Sequence, residues 1–502
     1  MAQSPQTIVD IVDFSKLPLK TLKCVACVQG VTMKGPLAKP ILIQKWEDFV
    51  QIFGGYHPDS MFPLYCERAL NNGAKLYVAR AANYDDLNFK DSYYGTPASV
   101  LLAPSTNIRA FSLHPEIGYN DVEVTISGGT QLVCDILVRQ KGMEDQTLKG
   151  VKRNVTRADI LDINQQFLNK YRDKTLVEFK GIFPNVFPIN PLATVTFQST
   201  GGYLILGGGI QTLPVSADNY NGLANGGTGW HAFNEIVDSK IIYNFDAPMP
   251  EVDAGLAEYC AKRKDMRFVI RTPLELTANG MEDYRMGTGA YSHPALNTYF
   301  GKLIAGDIRV FYKGAKVLIS AIADVCALEM KKSLQWLVAA GLERGVLPND
   351  VVGCPYNLLS PALKDDYDNI YEKGINAIGI HRTGKTVYWG NRTLLLDQTK
   401  LLKFDNVADL AMYIRETLLG IIEKFNFEPN DLKMYEQVYI AVKPFIESLE
   451  AGRAIHPSKW LWQGDQFASK VEDLQFNTLD DLKQGRFSAD FLFAPIVANE
   501  II

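Results

Sequence analysis

The most chemically suggestive stretch of the sequence is Gly379–Thr386, GIHRTGKT. Its spacing fits G-x-x-x-x-G-K-[ST], the pattern of loops that bind nucleotide phosphates through backbone N–H groups and a lysine. In such a loop a helix begins directly after the last motif residue, because the helix N-terminus completes the anion site. Here the next residues are VYWG, three β-formers and a glycine. The stretch therefore predicts a β-hairpin that turns around Arg382–Lys385 with Gly384 in the turn, and a nucleotide hydrolase is the alternative.

Other groups of residues offer weaker evidence for chemistry. Cys24 and Cys27 form a C-x-x-C, but the surrounding run is apolar and β-like, and no second pair completes a metal site. We therefore expect buried structural thiols. Asp365, Asp366 and Asp368 suggest a calcium loop, but the glycine and glutamate of an EF-hand are missing, which favours a solvated acidic turn. We predict no catalytic residue, no bound metal and no cofactor.

Composition sets broad limits on the class of protein. A chain of 502 residues exceeds one compact core, so two to four domains are expected. The net charge of −5 gives no basic excess for nucleic-acid binding. The opening residues lack the pattern of a signal peptide, and no apolar run approaches the ~18 residues of a membrane span. Seven scattered cysteines indicate reduced thiols rather than a disulfide framework.

Hydrophobic periodicity predicts a multidomain protein of mixed α/β and α+β class. Short apolar strands such as Ile41–Ile43 alternate with helices, which is typical of a parallel sheet covered on both faces. Helices are predicted over 156–171, 321–341, 405–425 and 431–451, and strands in INAIGI, TVYWG and TLLL. The predicted division is an N-terminal arm (1–20), a parallel α/β domain (21–94 and 199–275), an inserted β-rich module (95–198), an intermediate region (276–345) and an α+β C-terminal domain (346–502) that ends in an extended arm (487–502).

Both terminal segments resemble single strands with no neighbouring hairpin partner. TIVDIVDF stands between two prolines, and the phenylalanines of RFSADFLF recur at period two. Unpaired strands of this kind pair with other chains. The residues predicted to lie between subunits are Ile8, Val9, Ile11, Val12, Phe14, Phe487, Phe491, Phe493 and Ile496.

Six stretches carry a resemblance along nearly the whole chain: Gly30–Tyr56, NNGAKLYVARAA, YCAKRKDMRFVIRTP, GINAIGIHRTGKTVYWGNRTL, Phe425–Asp431, and the segment from NTLDDL to NEII. Their characteristic residues are Gly35, Pro36, Phe49, Gly54, Gly55, Asn376, Trp389, Gly390, Arg392, Thr393, Glu428, Pro429 and Asn430. In this order the stretches resemble the tail sheath proteins of contractile phage tails and related contractile injection particles. The chain departs from the pattern at Arg271, where an aspartate is usual, at glycines 207–209 and over 316–350.

The resemblance implies a structural, non-enzymatic subunit. Many copies would polymerise helically around an inner tube, and the sleeve would contract from a metastable extended state to drive the tube through a target envelope. The terminal arms would exchange strands between subunits, the C-terminal domain would face the tube, and the inserted module would lie outside.

The implied partners are further copies of the chain, the inner tube protein, and baseplate and terminal cap proteins, with neither nucleic acid nor direct membrane insertion. One continuous chain favours a phage tail or an extracellular injection particle, assembled in the bacterial cytoplasm, over the two-chain sheaths of type VI secretion. Another tail or baseplate assembly protein is the remaining alternative.

Overall fold

The computed structural model describes residues 25–83, 95–96, 98–102, 108–113, 119–181, 195–196, 200, 204–206, 210–211, 215–397, 399–470 and 473–499. The helices in these ranges are α1 Trp46–Phe53, α2 Phe62–Asn71, α3 Arg157–Tyr171, α4 Ala217–Asn221, α5 Pro250–Arg263, α6 Ala278–Met286, α7 Ile322–Met330, α8 Gly341–Arg344, α9 Lys364–Glu372, α10 Asp405–Ile422, α11 Leu432–Ala451 and α12 Leu479–Lys483. Among the described residues, no helix is long and apolar enough to cross a membrane.

The strands fall into one large sheet and several small ones. They are β1 Val25–Gly30, β2 Ile41–Ile43, β3 Lys75–Arg80, β4 Gly95–Thr96, β5 Ser99–Leu101, β6 Ile108–Ser112, β7 Glu123–Ser127, β8 Val133–Arg139, β9 Gln146–Lys152, β10 Asn154–Val155, β11 Val177–Gly181, β12 Val195–Thr196, β13 Leu204–Ile205, β14 Ile210–Gln211, β15 Ile241–Tyr243, β16 Arg267–Arg271, β17 Gly301–Ala305, β18 Asp307–Tyr312, β19 Ala315–Ser320, β20 Val351–Gly353, β21 Ile375–Ile380, β22 Thr386–Trp389, β23 Ile455–Gln463 and β24 Asp490–Pro495.

An eight-stranded sheet forms the centre of the molecule, in the order β2-β3-β1-β15-β16-β17-β21-β22. The six inner strands are parallel, and an antiparallel strand closes each edge. Successive residues point to opposite faces: Val28 joins a core with α1, α2 and α7, whereas Cys27 joins a core with α4, α5, α6 and α9. The predicted parallel sheet with two covered faces is confirmed. Cys27 is fully buried, and burial raises the pKa of its thiol to about 12, which agrees with the expected buried thiol. Cys24 lies outside the described residues.

The inserted module has a core of its own. A four-stranded sheet (β13-β7-β8-β9) and a three-stranded sheet (β11-β6-β5) enclose apolar side chains together with α3. The predicted helix begins after Thr156, whose side chain forms a capping box with Asp159. Strand β14 pairs with β4, so the module extends to about residue 211, beyond the predicted boundary at 198.

The predicted division of the second half needs correction. Strands β21 and β22 belong to the central sheet, so this sheet continues past the predicted boundary at 345. The predicted helix over 321–341 ends at Met330, because Lys332 and Trp336 turn inward to partners on α10 and α11. TLLL forms an isolated bridge from Leu394 to Thr298 instead of a strand. The acidic stretch around Asp365 is the helix α9 and not a turn.

Gly379–Thr386 forms the predicted hairpin. Strand β21 pairs antiparallel with β22, the His381 N–H donates to Lys385 O at 2.9 Å, and Gly384 has a φ of 80° in the turn. The chain thus runs strand–turn–strand where a phosphate loop needs a strand followed by a helix.

This geometry predicts that the protein does not bind ATP through Lys385. A calorimetric titration with ATP and Mg²⁺ should give no saturable heat for either the parent protein or Lys385→Ala. Tight binding by the parent that the substitution abolishes would contradict the hairpin interpretation.

Candidate assembly surface

The C-terminal unit consists of α10, α11, α12 and a two-stranded sheet, β23 with β24. Trp462 opposite Phe491 and Leu461 opposite Leu492 are cross-strand pairs, and the register shifts between Ile455 and Trp460. The shift bulges residues 456–459 out of the ladder, and these four residues are exposed. β24 therefore pairs within its own chain, so the interpretation of this segment as a lone strand was wrong. The bulge in β23 interrupts its alternation of apolar and polar residues, so the sequence does not indicate that β23 is the partner of β24.

One face of this hairpin packs on the helices and the other is open. Trp462 is buried in the core of α10 and α11, and the rings of Phe491 and Phe493 stack at 5.2 Å on the same side. Leu461 and Leu492 are 48% and 52% exposed on the other face. A two-stranded ribbon is marginal by itself, and both of its outer edges lack a partner strand among the described residues. The hairpin can therefore accept further strands.

The Asp465 carboxylate binds backbone N–H groups of the segment that leads from β23 back to β24, and we call this arrangement the Asp465 clamp. Asp465 accepts backbone N–H bonds from Gln475 (2.8 Å), Phe476 (3.0 Å) and Asn477 (2.6 Å). Burial would raise the pKa of Asp465, but these N–H groups outweigh it and lower the pKa. Asn477 then exchanges two hydrogen bonds with the backbone of Ser488, directly before β24. The clamp thereby fixes where the last strand starts.

Asp465→Ala should loosen β24 while the central sheet stays intact. Hydrogen bonds to a charged group contribute about 1.5–3 kcal/mol each, so a net loss of ~2 kcal/mol should raise hydrogen exchange in β24 by roughly 30-fold. Exchange measured by mass spectrometry should leave β1 and β15 unchanged. Glu447→Ala, at an exposed site on α11, is the control. An equal rise along the whole chain, or none in β24, would contradict the clamp.

Six buried side chains form a closed ring of alternating charge where the C-terminal unit meets the amino ends of β16 and β17. None of them is more than 9% exposed, and each carboxylate bridges two cations. The consecutive pairs are Arg267–Asp405 (2.6 Å), Asp405–Lys302 (2.9 Å), Lys302–Glu329, Glu329–Lys332 (2.7 Å), Lys332–Asp409 (2.7 Å) and Asp409–Arg267.

The ring is electrically neutral, and each of its six charged groups pairs with two opposite charges, although Arg267 Nε has no hydrogen-bond partner among the described residues. Burial would raise the pKa of Asp405, but the attraction of Lys302 and Arg267 outweighs it and holds this pKa well below its usual range. Burial would likewise lower the pKa of Lys302, and its carboxylate neighbours raise it instead. Asp405 also lies in the first turn of α10, where the helix dipole favours anions. The three carboxylates lie close enough together for a cation, and lysine and arginine already fill that role.

Asp405→Asn should strongly destabilise the fold, because it leaves Lys302 and Arg267 buried with fewer anions, at a cost of about 3–5 kcal/mol. Unfolding by urea measures the change. Asp480→Asn is the matched control, since Asp480 is 80% exposed and pairs with Lys483 at 3.5 Å, so its loss should cost at most ~1 kcal/mol. Equal effects of the two substitutions would contradict the ring.

The difference in the free energy of unfolding between the parent and Asp405→Asn should change with pH in a defined direction. The lowered pKa of Asp405 gives stability that is present above the unfolded carboxyl pKa of ~4 and is lost as pH falls further. The raised pKa of Lys302 gives stability that is present below ~10.5 and is lost as pH rises through the folded value. The gap between the parent and Asp405→Asn should therefore be largest from about pH 5 to 10.

Several residues of the sequence motifs meet beside the ring. The Asn376 amide donates to Leu303 O (3.1 Å) and Arg392 O (2.9 Å) and accepts from the Arg392 N–H (2.8 Å). Any side chain at Gly390 would meet Asn376 Oδ1 at 2.5 Å, which explains the glycine. The Arg392 guanidinium lies between the rings of Tyr371 (4.6 Å) and Phe404 (4.7 Å). These contacts join the central sheet to the segment that leads into α10.

The other motif residues have mixed roles. Thr393 Oγ1 donates to Leu402 O at 2.9 Å, and Trp389 stacks on His381 at 5.5 Å. Gly35 (φ 117°) and Gly54 (φ 83°) have positive φ, and a Cβ at either would meet a neighbouring side chain at 2.6 Å. Phe49 is fully buried in α1.

Five motif residues have weaker structural explanations. Pro36 is half-buried, and no atom lies within 4 Å of a Cβ built at Gly55. Glu428 and Pro429 are exposed, and the Asn430 amide donates to Arg486 O at 2.9 Å.

The predicted arm residues are not all brought together. Ile8, Val9, Ile11, Val12 and Phe14 lie outside the described residues. Phe487 stacks on Tyr435 at 5.2 Å, Phe491 and Phe493 lie in β24, and the Ile496 N–H donates to Ala454 O at 3.0 Å.

Sequence reasoning missed the charge ring and the Asp465 clamp. The available signal for the ring was a charge inside RFVIR and GKLIA, strands of a sheet that is buried on both faces.

At the usual ligand crevice of a doubly wound sheet, the described polar groups hydrogen-bond to one another. The strand order reverses between β1 and β15, and ligands bind at the carboxyl ends of strands at such a point. Here Asp246 accepts from the Val31 N–H (2.8 Å), Ser60 Oγ (3.1 Å) and Tyr220 Oη (2.5 Å). Arg271, the departure from the sequence pattern, donates to Phe245 O beside it. These polar groups are bound to one another.

Comparison with solved structures gives full-length likenesses at low sequence identity. The sheath tail protein of Listeria innocua has a TM-score of 0.59 and 12% identity, with 94% of each chain covered. That of Desulfitobacterium hafniense has a TM-score of 0.56 and 12% identity, covering 98% of this chain and 100% of the other. A sheath complex of an extracellular contractile injection system, PVC, in its contracted state has a TM-score of 0.53 and 12% identity, covering 100% and 96%. No protein-family model and no curated relative matches the sequence. The chain thus has the fold of sheath tail proteins over its whole length.

Proposed function

We propose that this protein is the structural subunit of a contractile sheath. The observation that carries the proposal is the likeness of fold to sheath tail proteins, which spans nearly all of both chains. The ordered sequence motifs agree with it independently. Many copies polymerise helically around an inner tube, and contraction from a metastable extended state drives the tube through a target envelope. The role is mechanical rather than enzymatic.

The hairpin of β23 and β24 supplies the link between subunits. Its two outer edges have no partner strand among the described residues, and with the exposed leucines they offer a template for strands donated by residues 1–20 of neighbouring copies. Each main-chain hydrogen bond of an added strand contributes about 1 kcal/mol net. Because donor and acceptor segments differ, the contact is head-to-tail and continues as an open helix.

The assembly itself stores the energy for contraction. Burial of roughly 200 Å² of additional apolar surface per subunit releases about 5 kcal/mol at ~25 cal/mol per Å². Summed over many subunits, this drives contraction without a nucleotide. The barrier between the two lattices sets the storage lifetime.

The remaining partners are an inner tube protein, a baseplate and a terminal cap. The particle is a phage tail or an extracellular injection particle, and its subunits assemble in the bacterial cytoplasm. The inserted module, with its separate core, lies on the outside, and the C-terminal unit faces the tube.

Negative-stain electron microscopy of the expressed protein tests the proposal. Hollow helical tubes or stacked rings are expected at high protein concentration. Monodisperse monomers under all assembly conditions would overturn it.

Deletion of residues 1–14 should yield a folded protein that does not polymerise, because the subunit keeps its cores and loses a donated strand. Circular dichroism and thermal unfolding check the fold, and sedimentation checks polymer formation. Deletion of residues 497–502, which shortens the C-terminal arm, serves as the comparison variant. Normal tubes from the 1–14 deletion would contradict this strand's role.

A further inference from the structure

The three-stranded sheet β19-β18-β20 covers the core with one face and leaves the other open. Ile308, Val310 and Ile319 are buried against α1, α2 and α7. On the opposite side Arg309 and Lys316 are exposed. We call the open side, with Arg309, Phe311 and Lys316, the cationic face.

The cationic face has the composition of a contact surface. Phe311 is 61% exposed at the centre of the sheet, and Lys316 Nζ lies 5.7 Å from its ring centroid. Within the described part of the chain, no carboxylate lies at ion-pair distance from Arg309, Lys313 or Lys316. Aromatic and arginine side chains are enriched in protein interfaces and among their hot spots. The face therefore fits an acidic partner surface.

Helix α9 carries a surface of the opposite charge. Asp365, Asp368 and Glu372 are exposed at spacings of three and four and form one stripe, while Ile370 is buried against the central sheet. Lys364 is the nearby cation, 3.8 Å from Asp368 in an exposed and therefore weak pair. We call these three carboxylates the acidic stripe.

The two surfaces belong to opposite sides of one molecule. The sheet that carries the cationic face packs with its other side on the core of α1, α2 and α7. Helix α9, which carries the acidic stripe, packs through Ile370 on the core of α5 and α6, on the other face of the central sheet. Among the described residues, no ion pair joins the two surfaces. We propose that the cationic face of one copy docks on the acidic stripe of the next copy. This contact rests on the proposed function and adds a charge-complementary junction to the strand links.

Such a junction is heterologous, so it repeats along a filament without closing on itself. Complementary potentials speed encounter and fix the register of neighbours, and like charges brought together cost several kcal/mol. The junction is also sensitive to salt, because its charges are exposed.

Charge reversal on each surface, followed by mixing, tests the contact. Variant A is Arg309→Glu with Lys316→Glu, and variant B is Asp368→Lys with Glu372→Lys. Each alone should raise the protein concentration needed for polymer formation by at least tenfold, the effect of about 1.4 kcal/mol. An equimolar mixture should return to within about twofold of the parent, because every junction in an alternating polymer is again complementary.

Controls separate this contact from folding and from the proposed function. Lys141→Glu with Lys149→Glu makes the same charge change at two exposed sites of the inserted module and should leave assembly unchanged. Rescue in the mixture establishes that both variants are folded. Variants that polymerise like the parent, or that fail even when mixed, would overturn the contact while the sheath proposal stands. A parent protein that forms no polymer would overturn both.

Discussion

The buried ring of six charges is the interaction on which the arrangement of this protein depends. It closes across elements that are far apart in the chain: Arg267 and Lys302 from the central sheet, Glu329 and Lys332 from the end of α7, and Asp405 and Asp409 from the start of α10. Removing any one member leaves an unbalanced charge out of water. The ring therefore holds the C-terminal unit to the sheet in one geometry.

The charge ring divides the protein into a tightly connected region beside the ring and a hairpin of β23 and β24 with exposed edges. Beside the ring, Asn376 of β21 forms hydrogen bonds to β17 and to the segment before α10, and Arg392 lies between two aromatic rings. Beyond α11, by contrast, the hairpin of β23 and β24 has no partner strand at its outer edges among the residues that the structure describes, and the Asp465 clamp fixes where β24 starts. The proposed sheath role requires both properties, because the body of a subunit must transmit force while its links tolerate rotation of neighbours.

Much of the fold follows from local sequence patterns. The parallel strands, the hairpin at Gly379–Thr386 and the long helices α10 and α11 are encoded by periodicity and turn residues within each segment. The pairing of β24 with β23 was missed because 26 residues separate the strands and a bulge interrupts the alternation. The early end of α7 depends on partners of Lys332 and Trp336 more than 70 residues away. The ring needs four contacts between residues more than 70 positions apart, so no local pattern predicts it.

The most direct test of the central claim is a cryo-EM map of the assembled full-length protein at side-chain resolution. We predict a hollow helical tube in which each hairpin of β23 and β24 is extended by strands from neighbouring copies, with the charge ring intact inside every subunit. A closed oligomer, or a tube in which both hairpin edges remain bare, would contradict this account.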